Sequence, residues 1–216
     1  MSFVQTKQLP HHLVAFLDIL GTKTKVANKQ FDDLIALDFA NPVGHRAHEF
    51  RDSHFAVFSD CVIFSTPAEK PIEFLQILGE IYIEWYADAI FVRGGIAVGE
   101  IYWISMDSDE RVFRRLPNFS FARVYGSALV EAVEIERSSG PGAFAFASDH
   151  AAQILSKAVP RSIYRGQNNV VVCVEDYRLR QIRCLFDQIS QEADSGQSRH
   201  LLASVRLIDL ICKTHD

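Results

Sequence analysis

The sequence predicts an α+β fold, and two observations support this prediction. Short β-prone runs and helical patterns alternate in the order β-α-β-β-α-β-α-β, which is typical of a ferredoxin-like core. No internal repeat, low-complexity tract or long linker interrupts that order. We therefore expect a single domain over residues 1–216, with an antiparallel sheet that carries helices on one side. Its core would span about residues 13–175, and a C-terminal helical extension about residues 177–213.

The composition limits the classes of protein to which this chain can belong. Of its 216 residues, 48% are hydrophobic and 11% aromatic, which is enough for one sizeable core and excludes disorder. With 22 Lys and Arg against 27 Asp and Glu, the formal net charge of -5 argues against a protein that binds nucleic acid through a basic face. A compact anion held by local groups is compatible with this charge.

Three features bear on localisation and redox state. The first ten residues are polar and lack the apolar run of a secretory signal, so the protein is expected to stay in the cytoplasm. The longest apolar region, residues 74–92, contains Glu80, Glu84 and Asp88, which predicts a helix that does not enter the membrane. The four cysteines are scattered along the chain, which suggests neither a disulfide framework nor a zinc site.

The chain is predicted to begin with a buried strand and a helix. Residues 12–20 form a short apolar run that ends at Gly21, a residue that favours chain reversal. Thr22 can cap the helix that follows. The Asn41-Pro42 pair is expected to end this helix, because a residue before proline is pushed out of helical geometry.

A hairpin and a long helix are predicted next. The β-prone runs 54–58 and 61–65 flank Ser59-Asp60, which predicts a hairpin with the acid at its tip. Pro71 then opens a long helix with one apolar and one acidic face.

The following strand is rich in glycine. Residues 91–99 include Gly94, Gly95 and Gly99, and glycines in a strand mark a bulge or the close approach of another backbone or ligand. Residues 100–121 show no clear period and are predicted to form an extended hairpin or arm.

The remaining elements follow from apolar spacing and from glycine and proline punctuation. They are a helix over residues 126–137, a strand over 143–147, a helix over 149–157, a strand over 170–174, and two C-terminal helices separated near Ser195-Gly196.

Two acidic residues stand out because each lies in strongly apolar strand sequence. Asp18 ends the first predicted strand, and Asp60 lies at the tip of the hairpin. The strand and the hairpin are expected to be neighbours in one sheet, with both acids near the same edge. A buried, unpaired carboxylate is costly, so each requires a cation, a proton or several hydrogen-bond donors. A shared Mg²⁺ or Mn²⁺ would satisfy both, since these hard ions prefer two carboxylates plus substrate phosphates. The alternative is that the two aspartates only cap nearby turns.

The turn after the first strand is a candidate phosphate site. Residues 19–22 lead from a strand into a helix through a glycine, and such a turn exposes backbone N–H groups beside a helix N-terminus. Most turns of this kind bind nothing. Its position next to Asp18 makes the combination more specific than either part.

Five short motifs, in this order, resemble those of class III nucleotidyl cyclases. The resemblance covers roughly residues 13–155. The matching segments are FLDILG (residues 16–21), FSDC (58–61), VRGGIAVGE (92–100), VYGSALV (124–130), and Glu136 with SSGPG (138–142).

The resemblance implies a catalytic site and its ligands. Two divalent ions, Mg²⁺ or Mn²⁺, would serve the conversion of a nucleoside triphosphate to a 3′,5′-cyclic monophosphate and pyrophosphate. Because relatives build each site from two chains, it also implies a homodimer. The implied residues are Asp18 and Asp60 as catalytic residues, Asp18, Ile19 and Asp60 as metal ligands, and Leu20, Gly21 and Thr22 as phosphate-binding residues.

Two departures from the purine cyclases concern the base. Ala56 stands where a purine reader, Lys or Glu, is found, and Arg123 occupies the place of a second base reader. In this respect the chain resembles the pyrimidine nucleotide cyclases of the bacterial anti-phage system called Pycsar. That resemblance implies a pyrimidine triphosphate, UTP or CTP, as substrate, and a cyclic nucleotide that activates a separate effector protein. Arg123 makes UTP the expected substrate and CTP the alternative. A donor-only guanidinium at Arg123 favours the O4 carbonyl of uracil over the amino group of cytosine.

A third departure concerns the transition state. Val130 and Glu134 stand where purine cyclases place an Asn and an Arg. Either another residue supplies the cation, or the chain is a degenerate cyclase domain that senses a nucleotide without turnover. The candidate cations, among which the sequence does not choose, are Arg93, Arg111, Arg114, Arg115 and Lys23.

Overall fold

A central mixed sheet carries helices on both faces. The computed structural model describes residues 5–22, 33–105, 124–165, 170–172, 176–191 and 195–215. The strands are β1 (Gln5–Ile19), β2 (His54–Phe58), β3 (Cys61–Pro67), β4 (Val92–Ser105), β5 (Val124–Tyr125), β6 (Ala145–Ala147), β7 (Ile163–Arg165) and β8 (Val170–Val172). The helices are α1 (Asp33–Glu49), α2 (Pro71–Ala87), α3 (Ser127–Ser138), α4 (Asp149–Ala158), α5 (Asp176–Ser190) and α6 (Ser195–His215), with a 3₁₀ turn over Pro160–Ser162.

The α+β class is confirmed, but the sheet is not wholly antiparallel. Its strand order is β2-β3-β1-β4-β6-β8-β7, and β5 pairs with β4. The β4–β6 pair is parallel, whereas the other pairs are antiparallel. The reason is the connection: α3 carries the chain back to the edge where β4 begins, so β6 runs in the same direction as β4.

One face of the sheet carries the larger core. Leu13, Ala15 and Leu17, alternate residues of β1, are fully buried there against apolar side chains of α2. Trp85 stacks on Phe39 of α1 with a ring separation of 4.8 Å. The C-terminal helices join the same core through Ile182, Phe186, Leu201, Val205, Ile208 and Ile211.

The opposite face is covered by α3, so the expectation of helices on one side only is wrong. A Cβ on Gly95 would lie 1.9 Å from the Ala132 carbonyl oxygen, and one on Gly99 would lie 3.5 Å from the Ala128 Cβ. The missing side chains on β4 create a groove into which the backbone of α3 fits. The prediction that these glycines mark a close backbone approach is confirmed, although the approaching element is a helix of the same chain.

Helix α1 continues through Pro42 to Glu49, so the predicted stop at Asn41-Pro42 is wrong. The proline removes one helical hydrogen bond. Packing outweighs this loss, because Phe39 and Val43 on either side of Pro42 are buried against the core. The Phe39 carbonyl also accepts a hydrogen bond from Trp85 Nε1 at 2.9 Å.

Most of the other predicted elements are present. The hairpin, the helix that begins at Pro71 and the helices α3 and α4 lie within a residue or two of their predicted bounds. Strand β1 is longer than predicted, and β7 was not predicted. The predicted arm begins as the end of β4, and its return is paired antiparallel, Trp103 opposite Val124. Residues 106–123 lie outside the described part of the chain. Of the helices described, none has the length and apolar character needed to cross a bilayer.

Candidate functional site

Asp18 lies near the end of the inner strand β1, on the face of the sheet that carries α3. The strand ends at this point form one edge of the sheet. As the penultimate residue of β1, Asp18 is paired with Cys61 of β3 on one side and with Arg93 of β4 on the other. Its neighbours Leu17 and Ile19 point into the larger core and anchor the strand end. Asp18 is therefore presented between two strands, with a thiol and a guanidinium-bearing residue in the same row.

Asp60 is brought to the same edge by the hairpin turn. Ser59 has a φ of 51°, and the two-residue turn closes with Phe58 opposite Cys61. The Asp60 carbonyl accepts a hydrogen bond from the Ile19 N–H at 2.9 Å. The expectation that the two strand-end aspartates meet at one edge is confirmed by this contact and by the pairing of Asp18 with Cys61.

The electrostatics of this edge are unfavourable for the acids alone. Burial, and then the negative charges of Asp60 and Glu136, raise the pKa of Asp18 to about 6. Burial, and then the negative charges of Asp18 and Asp60, raise the pKa of the Cys61 thiol to about 11, so that thiol stays protonated near neutral pH. The edge thus concentrates negative charge that a cation would neutralise.

The donor set at this edge fits a hard divalent ion. No group of three or more His, Cys, Asp and Glu side chains suited to a metal occurs among the described residues. Mg²⁺ and Mn²⁺ do not require such a group, because they retain waters and accept substrate phosphate oxygens beside one or two carboxylates. The carboxylates of Asp18 and Asp60 and the carbonyl of Ile19 are oxygen donors of this kind. Donor chemistry and crowded negative charge therefore both agree with metal binding at this point.

The turn after β1 has fewer free backbone donors than its sequence suggests. The Ile19 N–H is donated to Asp60, and the Leu20 N–H is donated to the Phe91 carbonyl at 2.8 Å. The Thr22 hydroxyl donates to the Ile19 carbonyl at 3.1 Å. Gly21, with a φ of 81°, makes the sharp reversal. The turn's candidate donors to a phosphate are therefore the N–H groups of Gly21 and Thr22.

Arg93 is held beneath α3. It is 8% exposed, and its Nε lies 3.4 Å from Glu136 Oε1. The guanidinium carbon lies 5.6 Å from the centre of the Phe146 ring. Its Nε faces Glu136, and its Nη2 is buried without a hydrogen-bond partner in the described part of the chain, so Nη2 is left as a donor for a ligand or for water.

The residues at the predicted base and transition-state positions are spread over three elements. Ala56 lies on β2 opposite Ile63, on the face that carries α3, and is partly buried. Val130 on α3 is 59% exposed, and Glu134 one turn later is also exposed. Arg123 lies outside the described residues.

Two neighbours of the site were not predicted as functional residues. Glu136 was noted only as part of a matching segment, yet it is the ion-pair partner of Arg93. The Tyr82 hydroxyl is fully buried beside Gly94, without a hydrogen-bond partner in the structure described. A Glu in a partly exposed helix has the pattern of a solvated residue, so no sequence signal identified Glu136. Helical spacing indicated a packing role for Tyr82, and its unpaired hydroxyl is visible only in three dimensions.

No protein-family model and no curated protein sequence matches this chain. Solved structures do match it. The catalytic core of a rhodopsin-guanylyl cyclase with converted specificity, in complex with ATPαS, is 12% identical with a TM-score of 0.56, over 80% of this chain and 100% of that chain. The adenylyl cyclase CyaB from P. aeruginosa is 14% identical with a TM-score of 0.51, over 80% of this chain and 98% of its own. The monomeric guanylyl cyclase domain of the RhoGC fusion protein from the aquatic fungus Blastocladiella emersonii is 14% identical with a TM-score of 0.53, over 79% and 98%.

At these identities the likeness is one of fold. The chain has the fold of the class III adenylyl and guanylyl cyclase catalytic domains, with additional C-terminal helices. A fold of this kind can carry different activities, so the activity has to be argued from the site.

Proposed function

We propose that this chain is a single-domain nucleotidyl cyclase that converts UTP to 3′,5′-cyclic UMP and pyrophosphate. The observation that carries the proposal is the meeting of Asp18 and Asp60 at one sheet edge, where burial and mutual repulsion raise the pKa of Asp18 to about 6. Two acids held together at such a cost are expected to serve a cation. The cyclase fold supports a nucleoside triphosphate as the substrate class.

In the proposed reaction the ribose 3′-oxygen attacks the α-phosphorus and the bond to the β-phosphate bridging oxygen breaks. The 3′-hydroxyl proton passes to solvent water, and pyrophosphate leaves with the electrons of the broken bond. Bound Mg²⁺ or Mn²⁺ would acidify that hydroxyl and neutralise the charge on the leaving group. Asp18 and Asp60, with the Ile19 carbonyl, would hold the ions, and the N–H groups of Gly21 and Thr22 would bind the polyphosphate.

Arg93 is the proposed transition-state cation. It belongs to the same row of the sheet as Asp18, and its Nη2 is buried without a hydrogen-bond partner among the residues that the structure describes. Its ion pair with Glu136 keeps the charge desolvated and oriented. A guanidinium placed beside the metal ligands would stabilise negative charge as it builds up on the α-phosphate oxygens.

The base preference for UTP rests on Ala56 and Arg123. Ala56 has no hydrogen-bonding side chain and so cannot read a purine edge in the way that Lys or Glu does. Arg123 offers donors alone, which match the carbonyl acceptors of uracil. The second candidate base is cytosine, which an arginine could reach through O2 and N3.

A second candidate function is nucleotide sensing without turnover. The exposed Val130 and Glu134 on α3 favour it, because neither can donate to a phosphoryl oxygen at the place where purine cyclases have Asn and Arg. The two carboxylates at the sheet edge favour catalysis, since binding a nucleotide alone has less need of them.

The biological role proposed here rests on the resemblance to the Pycsar cyclases. Cyclic UMP would be a second messenger of cytoplasmic anti-phage defence and would activate a separate effector protein. The active form would be a homodimer with two shared sites. Sedimentation should detect that dimer, and activity per chain should fall on dilution, whereas a fully active monomer would contradict it.

The activity is tested by incubating the protein with each of the four triphosphates and Mn²⁺, followed by mass detection of cyclic products. We expect cyclic UMP, and we expect its formation to be lost in Asp18→Asn and in Asp60→Asn. Asp149→Asn is the matched control, because it changes an exposed carboxylate on α4 that pairs with Arg165. Nucleotide binding without any product would favour the sensor, and full turnover by either site variant would contradict the metal assignment.

The base preference is tested by competition between equal concentrations of UTP and CTP. A polar group matched to one base edge rejects the other by roughly a few kcal/mol, so cyclic UMP should predominate by at least about tenfold. Arg123→Ala should reduce that ratio. Predominant cyclic CMP, or unchanged selectivity in the variant, would show that Arg123 does not read the base.

A further inference from the structure

Two side chains of α6 hold the backbone that connects α3 to β6. Ser204 Oγ accepts a hydrogen bond from the Ala143 N–H at 2.7 Å, and His200 Nδ1 accepts one from the Gly142 N–H at 3.2 Å. The two side chains are four residues apart and so project from one face of the helix. The Ser204 hydroxyl donates to the His200 carbonyl at 2.9 Å, which orients its lone pairs toward the loop. Consecutive N–H groups of the loop are thus bound by a single helix.

The same loop is tied to the strand that carries Arg93. The Tyr86 hydroxyl donates to the Ala143 carbonyl at 2.5 Å, so Ala143 is held from both sides. The next carbonyl, that of Phe144, accepts the Gly94 N–H at 3.0 Å. Because Gly94 directly follows Arg93, the loop lies between α6 and the start of β4.

Two groups that contact the Arg93 guanidinium lie on either side of this loop in the chain. Glu136, its ion-pair partner, precedes the loop in α3, and Phe146, whose ring lies under the guanidinium, follows it in β6. At Gly142, where φ is +152°, an added Cβ would lie 3.2 Å from Phe146 Cζ and 3.5 Å from Leu207 Cδ1 of α6. Helix, loop and ring are therefore packed closely enough for a shift of one to move the others.

We propose that His200 and Ser204 are positioning residues, which place the Arg93 guanidinium in the candidate site by clamping residues 139–144 to α6. The tests of this inference that measure cyclic nucleotide formation rest on the proposed function. Neither residue touches the reacting groups. Each acts through the loop whose two ends carry Glu136 and Phe146.

The clamp depends on the charge state of His200. A protonated imidazole has donors at both nitrogens and cannot accept the Gly142 N–H. In the described part of the chain, the charged groups that act on His200 are Arg93 on β4 and Arg199 on α6 itself. Burial lowers the pKa of His200, and the positive charges of Arg93 and Arg199 lower it further. The acceptor form is therefore favoured at neutral pH, and acidification should release the loop.

The first test separates turnover from binding in four variants. We expect His200→Ala and Ser204→Ala each to lower kcat for cyclic nucleotide formation about tenfold, with KM changed less than about twofold. The matched controls, Ser198→Ala and His150→Ala, should keep the wild-type kcat. Ser198 is on the same helix but donates to the Ser190 carbonyl of α5, and His150 is exposed on α4.

A conservative variant tests the role of the imidazole itself. In His200→Asn, the side-chain oxygen can accept the Gly142 N–H and does not titrate. This variant should keep most of the kcat at pH 7.5. As the pH is lowered, its kcat should fall less than that of the wild-type enzyme, because the Asn side chain is not protonated. If kcat falls at low pH in His200→Asn in the same way as in wild type, the proposed role of His200 is wrong.

The second test does not need activity, so it separates failure of the clamp from failure of the proposed function. Amide hydrogen exchange at Gly142 and Ala143 should quicken about tenfold in His200→Ala and Ser204→Ala, and the NMR signal of the Arg93 side-chain Nε–H should shift in both. Ser198→Ala should change neither. If the wild-type protein forms no cyclic product, the proposed function fails and these signals alone decide the clamp. An unshifted Arg93 signal in both loop variants would overturn the clamp.

Discussion

Replacing Asp18 by asparagine should make the metal-free protein more stable at neutral pH. The carboxylate is partly buried and lies beside the charges of Asp60 and Glu136, which raises its pKa from 3.8 to about 6. An acid with a raised pKa in the folded state binds its proton more tightly there than in the unfolded chain. The folded state therefore loses stability as the pH rises through this interval, and the full loss is present above pH 6.

The size of the effect follows from the shift. A difference of about 2 pKa units corresponds to about 3 kcal/mol at pH 8, and the same linkage leaves about 1 kcal/mol at pH 4.5. Solvent screening at a partly exposed group lowers these values, so we expect Asp18→Asn to gain about 1–3 kcal/mol at pH 8. For a protein of this length that is a rise in Tm of about 2–12 °C.

Urea unfolding in the presence of a chelator, at pH 4.5 and pH 8, measures the gain. The pH-dependent part isolates the charge, because a change in shape or hydrogen bonding would contribute equally at both pH values. Asp149→Asn serves as the control and should show little change, since its ion pair with Arg165 is on the surface. Millimolar Mn²⁺ should stabilise the wild-type protein more than Asp18→Asn. A variant that is less stable than wild type at pH 8, or a gain independent of pH, would refute the reasoning.

Two further predictions concern packing around the site. Gly95→Ala should destabilise the protein by about 3 kcal/mol in urea unfolding, because its Cβ would lie 1.9 Å from the Ala132 carbonyl oxygen. Gly44→Ala, with nothing within 4 Å of its Cβ, should instead stabilise α1 by up to about 1 kcal/mol. Equal effects of the two substitutions would contradict the close approach of α3. Tyr82→Phe should leave Tm unchanged or raise it, because the lost hydroxyl is buried without a hydrogen-bond partner in the described structure; a loss of more than about 1 kcal/mol would reveal a partner.

Local signals in the sequence were enough to predict several of the elements that position the site. Ser59-Asp60 between two β-prone runs specified the hairpin, and Pro71 specified the start of α2. A polar residue in an apolar strand run is a strong signal, because burial without a partner is costly. That signal identified Asp18 and Asp60, and simple strand adjacency predicted that they would meet. Their roles as metal ligands stay a prediction.

Only the tertiary structure decided which distant groups act together. Arg93 and Glu136 lie on different elements, and nothing in either local pattern marks them as an ion pair. Helix α1 continues past Pro42 because core packing outweighs one lost hydrogen bond, a balance that local propensity does not contain. The position of α3 follows from the space left by Gly95, which the sequence marked as a close approach without saying of what. Contacts between segments far apart in the chain depend on how whole elements pack, and short-range patterns encode the elements better than their arrangement.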